Sequence, residues 1–380
     1  MKMLLIKKDN VLNFQSKRRF NQGKVNTRPI DSDFIVSTVK REIGASQKLL
    51  NFIEVYFECV DGGNYLATAS DEIYLSDLAC SNFSLVLNLK RVNDIRYVNK
   101  FLESINEALP VSGLFIGTVE TYPIRREALL KKYPVFLNHI VYFIDYILSR
   151  VFPKLPLIKK IYFGLTKGKG RVMSRAEMFG RLYSCGFEVV DENMIGGSLF
   201  FVSRKVGQPV YDKNPTYAPL IGLNRIGKNA KRIRVYKLRT MHPYAEYLQE
   251  YVYKKNRLQE GGKMKDDFRI SPEGRIFRKF WIDELPMLIN LFKGELKLVG
   301  VRPLSEHYFS LYDEELQSLR MKVKPGLIPP FYVDMPSTLE EIMLSETKYI
   351  RAYQKRPFYT DCVYLFRSIY NIVIKRKRSR

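Results

Sequence analysis

"SLVLNLKRVNDIRYVNKFLESINEALPVSGLFIGTVET", residues 84–121, sets the architecture of the chain. SLVLNLK (84–90) is a short apolar run of the kind buried in a sheet. DIRYVNKFLESINEAL (94–109) spaces its apolar residues at helical intervals, and GLFIGTVET (113–121), after Pro110, is a second strand. Strand, helix, strand is a doubly wound α/β unit. Further on, SRAEMFGRLYSCGFEVVDENMIGGSLFFVSRK (174–205) predicts a helix capped by Ser174 and ended by Gly186. Two strands, FEVVDE and SLFFVSRK, then follow with a Gly-Gly turn between them.

The chain has 380 residues, 46% hydrophobic and 27% charged, enough for two cored domains. Its formal net charge of +24 points to polyanionic partners: nucleic acid, anionic lipid or phosphorylated substrates. The four cysteines, Cys59, Cys80, Cys185 and Cys362, lack the paired spacing of a disulfide framework or zinc site, which fits a reducing compartment. The first ten residues hold an apolar run too short for an export signal. Residues 1–30 are polar and basic without sustained period, and are expected to form a loose arm. GQPVYDKNPTYAP (207–219) is a Pro-rich linker, and 220–380 reads as a second domain.

No uncharged apolar run reaches about 18 residues, so no transmembrane helix is expected. The nearest approach is FLNHIVYFIDYILSRVF (136–152), broken by His139, Asp145 and Arg150. It reads either as an amphipathic core helix or as an interfacial helix lying among lipid headgroups. The segment 136–165 is therefore a candidate for membrane association.

Residues 80–205 resemble the later half of a class I, SAM-dependent methyltransferase domain, in which a strand follows a helix-ending CGF and a last strand closes the sheet. That fold holds its cofactor with a glycine-rich first strand–helix turn. Here only Gly62 and Gly63 offer glycines, and they are not laid out as such a loop. The domain at 31–206 is accordingly read as degenerate and Rossmann-like, with no SAM binding expected.

In the second half, WIDELPMLINLFKGELKLVGVRPL (281–304) sets Asp283 beside Glu284 within an apolar stretch. Pro286 suits a first helical turn, and Leu285, Leu288, Ile289 and Phe292 keep helical spacing up to Gly294. By residue type Asp283 reads as a helix N-cap and Glu284 as a first-turn acid complementing the helix dipole. A helix N-terminus there could also receive an anion. Basic residues gather nearby: Arg225, Lys237 and Arg239 upstream, then Arg275, Arg278 and Lys279 directly before the acids. Taken singly, each reads as a solvated charge. Arg302 follows the strand LKLVGV at a point where its planar fork could grip a phosphate.

Three ordered blocks, LIGLNRIGKNAKRIRVYKLRTM (220–241), FRISPEGRIFRKFWIDELPMLINLFKGELKLVGVRPL (268–304) and KVKPGLIPP (322–330), resemble the bacterial sugar transferase family. Its members are monotopic polyprenyl-phosphate phosphoglycosyl transferases that start exopolysaccharide, capsule and O-antigen (lipopolysaccharide) units. The long form with RTMHPYAEYLQ looks especially like Bacteroides-type members. The resemblance implies an α/β phosphoglycosyl transferase domain at the cytoplasmic face of the inner membrane. It also implies transfer of a sugar 1-phosphate from a nucleoside diphosphate sugar to polyprenyl (undecaprenyl) phosphate. Asp283 and Glu284 become the catalytic dyad, with Asp283 the nucleophile and both acids sharing Mg²⁺. Arg225, Lys237, Arg239, Arg275, Arg278, Arg302 and Lys324 become substrate-binding, with Arg302 on the nucleotide diphosphate and Lys324 in support. An anionic membrane surface is an implied partner, and nucleic acid is not.

Departures from the family pattern are local. GPRP becomes Gly300, Val301, Arg302, Pro303, and PGxTG becomes PGLIPP, where Ile328, Pro329 and Pro330 bear on sugar or nucleotide specificity. The alternatives are a non-catalytic sugar transferase-like binding protein, a SAM-dependent methyltransferase and, on charge alone, a nucleic-acid binder.

Overall fold

The computed structural model describes residues 2–7, 10–15, 46–58, 64–68, 83–155, 157–211, 217–256 and 267–375. Two units emerge, Met1–Tyr217 with His242–Gln249, and Ala218–Met241 with Glu250–Arg380. The division falls at the far end of the predicted linker. Residues 242–249, which a linear reading assigns to the second domain, belong to the first unit.

In the first unit β1 (Lys2–Lys7) and β2 (Asn10–Gln15) pair as an antiparallel hairpin. There follow α1 (Gln47–Glu58), β3 (Asn64–Thr68), β4 (Phe83–Arg91), α2 (Val98–Ala108), β5 (Leu114–Val119), α3 (Tyr122–Lys132) and α4 (Val135–Tyr146). The unit continues with α5 (Ile158–Thr166), α6 (Arg175–Ser184), β6 (Phe187–Ile195) and β7 (Ser198–Lys205). One seven-stranded sheet has the order β2-β1-β3-β4-β5-β7-β6. β3, β4 and β5 run parallel, and the last strand, β7, inserts antiparallel between β5 and β6. The closing last strand agrees with the methyltransferase-like reading of 80–205.

Every residue of β5 is buried, as a strand covered on both faces requires. Period-two alternation divides its partners. Leu85, Leu87, Leu114, Ile116 and Val202 join Leu50, Ile53 and Phe57 of α1 in one cluster. Phe115 meets the rings of Phe101, Phe187 and Phe201. The predicted local signals hold: Ser174 Oγ accepts from the Glu177 N–H, and the β6–β7 turn uses Gly196 and Gly197 at positive φ.

The loose arm predicted over 1–30 is corrected at its start, where the hairpin β1–β2 adds to the sheet edge. The apolar run at residues 3–6 is the strand signal that the surrounding charges obscure. Residues 16–30 lie outside the described residues, as do Gly62 and Gly63. From the sequence no transmembrane helix is expected over 136–152, its apolar run being broken by His139, Asp145 and Arg150. The stretch Val135–Lys154, 20 residues of continuous helical turns, is long and apolar enough to cross a membrane by length and composition.

Segment 242–249 is fixed within the first unit by buried charge. Arg150 Nη2 lies 2.9 Å from His242 Nδ1, and the Arg150 guanidinium stacks on the Tyr122 ring at 4.6 Å. Burial, then Arg150, pushes the His242 imidazole well below its ordinary pKa. Nearby, burial would raise the Glu177 carboxyl, but the Lys154 and Arg181 cations win and hold it at about 2.

The second unit carries β8 (Leu220–Ile226) and β9 (Arg232–Leu238), an antiparallel hairpin, then α7 (Gln249–Asn256), which begins at the boundary, α8 (Pro272–Phe280) and α9 (Met287–Phe292). β10 (Lys297–Val299), α10 (Glu306–Ser310), α11 (Glu314–Met321), β11 (Gly326–Ile328), α12 (Phe331–Asp334), α13 (Leu339–Lys355) and α14 (Pro357–Ile369) complete it. β10 and β11 pair in parallel. Its main core gathers Val299, Val301, Leu316, Tyr349, Ile350 and Tyr364. The protein is thus α/β in both units, as predicted.

Candidate functional site

The acid pair is positioned from β9. Met287 of α9 packs with Ile233, Val235 and Leu296, while Asn290, fully buried, donates to the Arg234 carbonyl at 2.8 Å. The same amide accepts from the Tyr236 N–H at 3.0 Å. One side chain therefore satisfies two backbone groups of β9 and fixes α9 to the strand. The end of β9 then delivers Lys237, whose Nζ donates to Glu284 Oε1 at 2.6 Å.

Helix α8 leads directly into the acids. Ser271 caps it, accepting from the Gly274 N–H at 3.0 Å, and its own N–H donates to the Thr240 carbonyl. A Cβ on Gly274 would stand 2.0 Å from the Thr240 oxygen, so only glycine allows this approach. Arg278 Nε reaches Thr240 Oγ1 at 2.9 Å, which holds the guanidinium within the field of Asp283. After Phe280, Trp281 adopts the left-handed conformation, φ 55°, and turns the chain into the 3₁₀ turn Ile282–Glu284. For a tryptophan that conformation is costly. Its indole N–H donates to Tyr332 Oη at 2.9 Å, with the two rings edge to face.

Asp283 is not the helix cap that its residue type suggested. Helix α9 has six residues, begins after Pro286 and carries no side-chain cap. Such a short helix offers no N-terminal anion cradle either. The proline sets the bend beyond the acids and leaves them in their own turn. Asp283 is half-buried, and among the described residues no side chain bonds to its carboxylate. Burial, then the neighbouring Glu284, pushes its pKa above the ordinary aspartate value, against the opposing pull of Lys237 and Arg278. A carboxylate with a raised pKa and no structural duty is a mark of a functional position.

Tyr332 ties Arg302 to this group. It is buried, which raises its phenol pKa; Glu284 and Asp283 raise it too, while Arg302 lowers it. The two prolines that depart from the family pattern precede α12, the element that carries Tyr332. Arg302 is exposed, but its backbone is held from the interior: its carbonyl accepts from Arg320 Nη2 at 2.5 Å, and Arg320 also pairs with buried Glu346. The Ile226 N–H bonds to the Leu304 carbonyl, which brings Arg225 beside Arg302. Burial, then the Arg302 charge, lowers the Arg225 pKa. Neither arginine has an ion-pair partner among the described residues, so both remain available to an anion.

The structure therefore assembles Lys237, Arg278, Arg302 and Arg225 with Asp283 and Glu284. Arg275 is exposed on α8, one turn before Arg278. Arg239 turns away and donates to the Ala218 carbonyl at 2.9 Å. The Lys324 ammonium stands near Gly294, beyond the C-terminal end of α9, whereas the dyad precedes its N-terminal end. Thr240, Trp281, Asn290 and Tyr332 were missed by sequence reasoning. Asn290, a polar residue inside the apolar run 285–292, and Trp281, the chain's one tryptophan directly before the acids, were the legible signals.

An α/β domain that holds a free carboxylate among lysine and arginine side chains is of the class that receives phosphorylated ligands beside a nucleophile or cation site. Residues 213–375 match the family described as "Bacterial sugar transferase". The chain is 38% identical over 126 residues to an uncharacterized sugar transferase of Bacillus subtilis, covering 33% of this chain and 52% of that protein. It is 29% identical over 185 residues to a UDP-galactose-lipid carrier transferase of Erwinia amylovora, 47% of this chain and 36% of that one. An undecaprenyl-phosphate galactose phosphotransferase of Salmonella typhimurium is 27% identical over 185 residues, with the same shares. These matches span about half of the first relative's length and about a third of the other two.

Proposed function

We propose that this chain is a phosphoglycosyl transferase, taking a sugar 1-phosphate from a nucleoside diphosphate sugar to polyprenyl (undecaprenyl) phosphate at the cytoplasmic face of the inner membrane. The step would initiate a surface polysaccharide. The observation that carries this reading is the half-buried, uncapped Asp283 carboxylate, raised in pKa among Lys237, Arg278 and Glu284. The names of the relatives, which include transfer to undecaprenyl phosphate, support the substrate class.

In the proposed chemistry an Asp283 oxygen attacks the β-phosphorus of the donor. The bond to the bridging oxygen breaks, and the nucleoside monophosphate departs with the electron pair. An oxygen of the lipid phosphate next attacks the aspartyl-bound phosphorus and expels the carboxylate, leaving a polyprenyl diphosphate sugar. Arg302 and Arg225 would hold the nucleotide diphosphate, and Arg278 the charge that develops beside Asp283. Lys237 would hold Glu284 in place through their 2.6 Å ion pair.

No cluster of three or more His, Cys, Asp or Glu able to hold a metal occurs among the described residues. Two adjacent carboxylates nevertheless fit Mg²⁺, which commonly takes one or two carboxylates together with substrate phosphate oxygens. When bound, the ion would neutralise diphosphate charge. Asp283 and Glu284 would hold it.

Incubation with a panel of UDP-sugars and polyprenyl phosphate should release nucleoside monophosphate. Mass spectrometry of the protein with donor alone should find a phosphosugar on Asp283. Lack of release across nucleotide sugars of several bases, with folded protein, would leave a ligand-binding role in its place.

A further inference from the structure

Helix α4 is built inside out. Phe136, Ile140, Phe143 and Ile144 fall at helical spacing on one face and are all exposed, Phe136 at 76% and Phe143 at 63%. Asn138 and Asp145 occupy the opposite stripe and face the first unit. Asn138 is buried and donates to the Leu130 carbonyl at 3.3 Å. Asp145 accepts two bonds from Arg125, at 2.8 and 2.5 Å, and buried Ser149 follows one turn on. On α5 the stripe continues, with Leu157 exposed at 86% just before the helix and Ile161 one turn later. An ordinary surface helix has the reverse arrangement.

We propose that α4 and α5 form a membrane-docking surface, lying in the plane of one leaflet whose anionic headgroups meet the flanking lysines. Two observations commit the face to lipid. Residues 131–169 carry seven lysines and one arginine against a single acid, Asp145, which Arg125 already neutralises. Lys159 and Lys160 are exposed on α5 between Leu157 and Ile161, placed to meet headgroups while the apolar stripe enters the acyl region. The polar stripe decides the orientation. A segment crossing the bilayer would have to withdraw Asp145 from Arg125 and buried Arg150 from His242, whereas an in-plane segment keeps both. The surface stands independently of the transfer reaction proposed above.

The test is flotation with vesicles of phosphatidylcholine alone and of phosphatidylcholine with phosphatidylglycerol. Wild type should float with both and more strongly with the anionic ones. Phe136→Glu with Phe143→Glu should weaken partition to both by roughly tenfold or more, since each removes an exposed apolar side chain from the bilayer. Lys159→Glu with Lys160→Glu should weaken only the anionic binding, by roughly fivefold per lysine. Both pairs are exposed, so native circular dichroism is expected. Turnover of detergent-dispersed acceptor should be unchanged by either pair. Unaltered flotation of the folded Phe136/Phe143 variant would overturn the proposal. So would quenching of a tryptophan placed at Phe143, in a Trp281→Phe background, by bromine at the bilayer centre rather than near the headgroups. Wild type that floats as described but never turns over would refute the reaction and leave the surface standing.

Discussion

Asp283→Asn separates the two readings of the acid pair. As a cap, Asp283 would contribute about 0.5–2 kcal/mol, though Asn would replace it almost fully. As a member of a buried ion pair it would cost about 3–5 kcal/mol to neutralise. Neither applies, because α9 has no side-chain cap and Asp283 makes no ion pair among the described residues. What remains is a carboxyl whose folded pKa lies above its unfolded one, owing to burial and Glu284. A raised carboxyl pKa means that ionisation costs stability, which is lost as pH rises through the folded value. Asn should therefore leave the melting temperature at pH 7 unchanged or higher, and the gain should vanish as pH falls below the unfolded value. Turnover should fall by ~10³-fold or more, as when a covalent catalyst loses its attacking group. Wild-type turnover should itself decline as acid protonates Asp283. Paired thermal melts and nucleoside monophosphate release, each run across pH, test all of this. A variant that melts lower yet turns over near normally would refute the reasoning and return Asp283 to a structural role.

Lys237→Met removes the 2.6 Å bond to Glu284 from a pair only 21% and 26% exposed, so a destabilisation of about 1–3 kcal/mol is expected in denaturant titrations. Without that cation the acid limb of the pH–rate profile should also move to higher pH. Arg320→Met strands buried Glu346 and frees the Arg302 carbonyl; about 3–5 kcal/mol should be lost, and Arg320→Met with Glu346→Leu should recover most of it. The KM for the donor should remain raised in that double variant, because the Arg302 backbone has lost its tether. His242 stays neutral in the fold far below 6.5, so as pH falls through that value the unfolded chain takes up a proton that the folded one refuses, and stability drops. His242→Gln should abolish that part of the acid sensitivity in melts of the first unit.

Much of the fold was legible because it rests on local signals. β4, α2 and β5 lie where apolar run, helical spacing and Pro110 placed them, and Ser174 and Gly186 bound α6 as their chemistry requires. The hairpin β1–β2 was not, since its pairing partner, β3, lies some sixty residues away and strand pairing is non-local. At the site, the acids and their cations were visible as residue types, but their arrangement depends on contacts between distant residues. Lys237 and Glu284 meet because Asn290 fastens α9 to β9. Arg278 is aimed because Gly274 lets α8 touch Thr240.

Why two like charges stand together is likewise a tertiary matter. Neither helix dipole nor capping sustains Asp283 beside Glu284; a left-handed Trp281, anchored on Tyr332, forces both into a single 3₁₀ turn. Lys237 then takes up Glu284 and leaves Asp283 exposed to its neighbour's charge, half out of water and, among the described residues, without a side-chain partner. Folding alone would favour Asn or Ser there, since either could occupy the turn without an ionisation cost. The fold instead bears a carboxylate at a cost in stability, with Lys237 and Arg278 in its field. That imbalance is the physical argument for a nucleophile, and it arises only when residues 237, 278, 281, 284 and 332 are brought to one place.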